Sequence, residues 1–107
     1  MTLTGKGYYI WIAKDCERGD PERIVSVARE ANLSHVIIKV AGGPFPFNID
    51  KDSGFDYARP IVKKLQANNI SCWGFQYVLG DYPIQEGEIA VKRTLDLGLD
   101  GFVVNAE

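Results

Sequence analysis

Three times along this chain an amphipathic stretch closes on the same short signature. Asn32-Leu33-Ser34, Asn69-Ile70-Ser71 and Gly98-Leu99-Asp100 each set Asn or Gly before an apolar residue and then a small polar one. Asn and Gly tolerate the left-handed backbone that ends a helix, and an apolar residue next to it packs back on the last turn. Each signature runs into a short apolar segment, so each helix is predicted to turn straight back into a strand. Strand, helix and strand recurring at about 30 residues make right-handed βαβ units and a parallel sheet. The expectation is an α/β fold in a single domain over 1–107, without a linker.

The elements follow from local pattern. Gly7 to Ala13 is aromatic, β-branched and short, and predicts a strand. Asp20-Pro21 predicts a helix start, with Asp20 as N-cap and Pro21 at the first helical position. Ile24, Val27, Ala28 and Ala31 then form its apolar stripe. His35 to Ala41 is a nearly continuous apolar run, as in a strand buried on both faces. A long loop, Gly42 to Gly54, carries Gly, Pro and Asp. The second helix presents Ala58, Ile61, Val62 and Leu65, with Pro60 confined to its first turn. Ser71 to Val78 predicts the third strand, Ile84 to Leu97 a third helix burying Ile84, Val91 and Leu95, and Gly101 to Asn105 the fourth strand.

Composition narrows the function classes. The 107 residues suffice for one small domain. Apolar residues at 46% allow a core, and a net charge of -2 with no basic run argues against a nucleic-acid partner or an anionic membrane surface. No apolar stretch approaches the roughly 20 residues of a membrane span. The first seven residues lack the apolar core of a signal peptide. Cys16 and Cys72 are far apart, in no metal-like spacing, and read as unpaired thiols with Cys72 in the core. Nothing calls for a metal or a cofactor.

Two architectures suit four parallel strands and three helices: a small open doubly wound sheet, or the first half of an eight-stranded barrel. Ala13 to Gly19 after the first strand has one Gly and two acids, a poor phosphate cradle. The chain also stops on a strand without a covering helix. The half-barrel is the favoured expectation, with the remainder missing from this chain or supplied by association.

The run Gly7-Tyr-Tyr-Ile-Trp-Ile, then Val36-Ile-Ile-Lys39-Val-Ala, Trp73-Gly-Phe-Gln76-Tyr77-Val and Asp100-Gly-Phe-Val-Val-Asn-Ala-Glu107 resembles the amino-terminal half of a glycoside-hydrolase-type TIM barrel, of the chitinase-like and lysozyme-like kind. Chitinase-type members carry D-G-x-D-x-D-x-E on the fourth strand, the last Glu being the general acid. This sequence matches at Asp100, Gly101 and Glu107. It departs at Val103 and Asn105, where the pattern has Asp. The resemblance implies a hydrolase of glycosidic bonds with Glu107 as proton donor. The Asn at 105 takes away the carboxylate that assists the substrate acetamido group in that family.

Strand parity sketches a site at the C-terminal ends of the strands, where barrel chemistry sits. Val103, Asn105 and Glu107 share one face of the fourth strand. On the second strand the all-apolar set Val36, Ile38 and Val40 is expected on the helices, which sends Lys39 to the opposite face. On the third, Cys72, Gly74 and Gln76 are expected beside Lys39, leaving Trp73, Phe75 and Tyr77 to the helices. Glu107 is then the candidate acid, and Lys39, Gln76, Asn105 and Asp15 are candidate sugar ligands, with Asp15 a second carboxylate. Trp11 and Tyr77 are candidate stacking platforms, and Phe45-Pro46-Phe47 reads as an exposed aromatic loop. Each has a plainer reading: Lys39 as a rim lysine or paired core cation, Gln76 as a satisfied core amide. His35, at the other end of its strand, reads as surface or capping. Three function classes remain: a glycan-hydrolysing barrel, a barrel that binds a glycan or partner without catalysis, and a half-barrel that self-associates through exposed sheet edges.

Overall fold

In the computed structural model, which describes residues 5–106, the elements in chain order are β1 (Gly7–Ile10), two 3-10 turns (Ala13–Asp15 and Glu17–Gly19), α1 (Pro21–Glu30), β2 (His35–Gly42), β3 (Phe45–Pro46), α2 (Ala58–Ala67), β4 (Ser71–Val78), α3 (Pro83–Leu97) and β5 (Gly101–Ala106). β1, β2, β4 and β5 lie side by side in that order, and all three pairings are parallel. The short β3 folds back antiparallel on β2. A doubly wound sheet reverses its strand order and carries helices on both faces. Here the order never reverses, and residues of all three helices join one core with one face of the sheet. That core sets Ile24, Val25, Ala28, Ile61, Val62, Leu65 and Leu97 against Ile10, Val36, Ile38, Val40 and Cys72. Each fully buried aliphatic there contributes about 1.5–3 kcal/mol.

The helix-end signature does what its residue types dictate. Asn32, Asn69 and Gly98 take left-handed backbone at φ 57°, 61° and 66°. The next amide then reaches back five residues: Leu33 N–H to Ala28 O, Ile70 N–H to Leu65 O, Leu99 N–H to Thr94 O. The third residue leads into the following strand, and Ser34, Ser71 and Asp100 donate their amides to the carbonyls of Lys6, Ser34 and Cys72 alongside. At the other end of α1, Asp20 Oδ1 accepts from Glu22 N at 3.0 Å, as an N-cap should. Pro60 sits in the first turn of α2, and Asp56 Oδ1 accepts from Ala58 N.

Three expectations are corrected. The first strand ends at Ile10, so Trp11 and Ile12 already leave the sheet. His35 is buried rather than superficial. Its ring occupies the place where a side chain on Gly7 would go, and Ser34 Oγ lies 2.9 Å from its Nδ1. The third correction is larger: α3 is turned over. Ile84, Val91 and Leu95 are 72%, 60% and 75% exposed, while Glu86, Arg93 and Leu97 are buried. The two sets are offset by two residues, about 200° around a helix.

Polar anchors set that rotation. The Glu86 carboxylate accepts the amides of Leu79 and Gly80 at 2.8 and 3.2 Å. Arg93 uses four of its five N–H donors: Nε donates to Val40 O, Nη2 to Phe47 O, and the fork closes on the Asp56 carboxylate at 2.7 and 3.2 Å. A buried guanidinium stripped of its partner is far costlier than an exposed leucine. Arg93→Leu is therefore expected to lower unfolding free energy by about 3 kcal/mol or more, and Leu95→Ser by under about 0.5 kcal/mol, in urea denaturation followed by circular dichroism. The reverse ranking would show that the helix is anchored by its apolar stripe instead.

Candidate functional site

The face of the sheet away from the helices is aromatic. Val36, Ile38 and Val40 belong to the helix-side core, so Ile37 and Lys39 point the other way, as expected. On β4 the parity is the opposite of the expected one. Cys72 is packed in the helix-side core, and a side chain on Gly74 would collide with Val40, Leu99 and Phe102. Cys72, Gly74 and Gln76 thus face the helices, and Trp73, Phe75 and Tyr77 stand on the open face. Burial pushes the Cys72 thiol up to about 12, with Asp100 nearby adding to the shift. Phe75 is only 1% exposed because other rings cover it. Tyr9 and Trp11 lie 5.2 and 5.8 Å from it, and Trp11 lies 4.9 Å from Tyr77, measured between centroids.

Lys39 rises into this layer near the C-terminal ends of the strands. The ladder between β2 and β4 shifts register just after it, between Lys39 and Ala41, so Gly42 pairs with Tyr77. The lysine stem lies across Gly42, where a Cβ would sit 3.5 Å from its Cε. Its ammonium is then enclosed by rings: 3.9 Å from the centroid of Phe47, 4.3 Å from Trp11 and 5.2 Å from Tyr77. The residue is 7% exposed. Among the described residues no hydrogen bond or ion pair reaches the ammonium.

The loop after β2 supplies the lid of this cage, and buried polar groups hold it there. Val40 O, beside the register shift, accepts the Phe47 amide at 2.9 Å and also Arg93 Nε. Phe47 O takes the second Arg93 nitrogen. Asn48, in left-handed backbone at φ 65°, donates to Trp11 O and Lys39 O and accepts from Ala13 N. One amide thereby ties the end of β1, the middle of β2 and the loop. Arg93, Asp56 and Asn48 do not touch the open face; they position Phe47 and Trp11, which do.

Of the expected site residues, the fold brings together Lys39, Trp11 and Tyr77. Asn105 pairs with Tyr77 on the next strand and is exposed. Gln76 is not among them: it is 1% exposed on the helix side, its Nε2 spent on Gly43 O and Glu86 O at 2.9 Å each. Asp15 lies exposed on the first 3-10 turn, and no hydrogen bond or ion pair joins it to the cluster. Glu107 lies outside the described residues. Phe47, read from sequence as part of an exposed loop, is half-buried over Lys39, while Phe45 is 70% exposed. Among the described residues no group of His, Cys, Asp and Glu is arranged to hold a metal ion, and no helix is long and apolar enough to cross a membrane.

Compared with known proteins, the chain matches no family model, no curated protein and no solved structure.

Two opposed effects act on the Lys39 ammonium. Burial disfavours the charge and lowers its pKa from the ordinary 10.5. The ring faces favour it, by about 0.5–2 kcal/mol each when desolvated. The two effects oppose each other, and the cage of rings favours the protonated form. Among the described residues none of its three N–H donors is used, so part of the desolvation goes uncompensated by hydrogen bonds. Lys39→Met, which keeps the stem and drops the charge, is expected to stabilise the fold by about 1 kcal/mol at pH 7. Below its folded pKa the lysine is charged in both states and the penalty is complete. As pH rises from that lowered value toward 10.5 the unfolded chain holds the extra proton, so wild-type stability climbs toward the variant's. Paired urea melts from pH 7 to 10 check this; a variant less stable than wild type at every pH would show the ammonium to be satisfied.

Proposed function

We propose that the chain is the amino-terminal half of a glycoside-hydrolase-type barrel, that the C-terminal ends of its strands bind a glycan, and that Glu107 is the proton donor to the glycosidic oxygen in the intact protein. The observation that carries the reading is the aromatic surface at those strand ends, where Trp11, Phe47 and Tyr77 surround Lys39 with Asn105 on the next strand. Sheets of parallel strands bind their ligands at that end. Trp11 is 45% exposed, and so offers an apolar ring to a sugar while the Asn105 amide has both donor and acceptor for hydroxyls. The sequential strand order with helices on one face is the arrangement a barrel segment requires. The match of Asp100, Gly101 and Glu107 to the chitinase-type strand supplies the acid.

In this reading Asp100 is structural. Its carboxylate accepts the Cys72 amide at 2.7 Å and Gln66 Nε2 at 3.2 Å, which pins the start of β5 to β4 and sets the register that delivers Asn105 beside Tyr77. Glycosidases of most kinds need a second carboxylate across the bond, and its distance sets retention or inversion. Asp15, on the turn after β1, is the carboxylate of this segment nearest that role in sequence.

Asn105 favours a second reading, a barrel that binds a glycan and has lost catalysis. The two separate on the intact protein with chitin oligosaccharides and peptidoglycan. Glu107→Gln is expected to cut hydrolysis by about 10²–10⁴-fold while binding persists. Unchanged hydrolysis would remove Glu107 from the mechanism. Binding without cleavage by the wild type would leave the non-catalytic reading, and absence of binding would end both.

A further inference from the structure

We propose that the sugar bound at this strand-end site carries an oxyanion, a carboxylate or a phosphate, and that Lys39 is the residue that pairs with it. The inference rests on the reading of this face as a glycan site and adds the class of substrate.

The fold treats its other buried charges differently. His35 aside, three charged side chains are buried among the described residues: Lys39, Glu86 and Arg93. Glu86 receives two backbone amides. Arg93 donates to two carbonyls and a carboxylate. Both act within the helix-side layer, and both are satisfied there. Lys39 is on the other side of the sheet and 7% exposed, and among the described residues no hydrogen bond or ion pair reaches its ammonium, which keeps a narrow contact with solvent. Aromatic faces hold a cation but accept no strong hydrogen bond from it, so all three donors stay open. A buried cation lacking a counter-charge is retained where something else brings the counter-charge.

The position fits that use. The ammonium lies toward the strand ends that face ligands, over Gly42, with the exposed Trp11 on one side and Tyr77 leading to Asn105 on the other. The rings hem in the stem and favour the protonated amine. That disfavours the alternative use of a buried lysine, attack on a carbonyl carbon, which needs the free amine. A sugar lying on Trp11 would have its ring apolar face covered and an acidic substituent within reach of the ammonium, and the Asn105 amide could share the same oxyanion or a neighbouring hydroxyl.

The test compares matched acidic and neutral probes on the full chain by NMR titration at low salt: trigalacturonate against tri-N-acetylchitotriose, and glucose 6-phosphate against glucose. The acidic member of at least one pair is expected to bind on the order of tenfold tighter. The pair with the larger ratio says whether the oxyanion is carboxylate or phosphate. Lys39→Met should bring that ratio to about one, and Lys39→Arg should keep it above one; Lys39→Gln serves in place of the methionine variant if the latter does not fold. Neutral sugars bound as tightly as acidic ones, or a preference that survives in Lys39→Met, would overturn the inference while the glycan reading stood. No binding by any probe would overturn the glycan reading as well.

Discussion

The buried ion pair of Arg93 and Asp56 is the interaction on which most of this structure turns. Arg93 comes from the third helix, Asp56 from the end of the long loop, 37 residues earlier. Two further guanidinium donors go to Val40 O, inside β2, and Phe47 O, just past β3. One side chain therefore fixes which face α3 turns to the sheet, how the loop closes and where Phe47 rests. Such a pair is weak as a source of stability, since desolvating both ions offsets their attraction. It is strong as a constraint, because an arrangement that leaves either ion buried alone is excluded.

The two faces of the sheet then differ in kind. Toward the helices, polar atoms are matched: Gln76 spans Gly43 O and Glu86 O, Asp100 holds Cys72 N, and Asn48 joins the strand ends. On the open face an ammonium is held among rings without a hydrogen-bond acceptor among the described residues. Unsatisfied polarity costs stability, and on the proposed reading it is kept here for a ligand, the usual conflict between a stable fold and a prepared site. The aromatic layer serves both ends. It shields the sheet and gives a planar apolar surface of the sort a sugar ring covers.

The parts of the fold legible in the sequence are those set by local chemistry. A left-handed Asn or Gly followed by an apolar residue ends a helix whatever lies beyond, so all three turns could be read. Lys39 was placed correctly because its neighbours Val36, Ile38 and Val40 left one orientation only. β4 offered no such contrast. Cys72, Gly74 and Gln76 on one side and Trp73, Phe75 and Tyr77 on the other are both compatible with burial, and the large rings suggested helix packing. Gly74 was the signal: it permits close approach by Leu99 and Phe102, which a barrel-facing position would not need. In α3 the stripe Ile84, Val91 and Leu95 has good helical periodicity. Glu86 and Arg93 displaced it because their partners, two loop amides and a distant aspartate, are tertiary. No periodicity reveals such partners.

The claim at the centre of this account is a charged Lys39 held among Trp11, Phe47 and Tyr77. NMR of the Lys39 side chain in the full chain tests it most directly. The account predicts ε-methylene protons displaced well upfield by ring currents, an ammonium still protonated at pH 7, and a return toward ordinary lysine positions in Phe47→Ala. Ordinary ε-methylene shifts in the wild type, unaffected by that substitution, would contradict it.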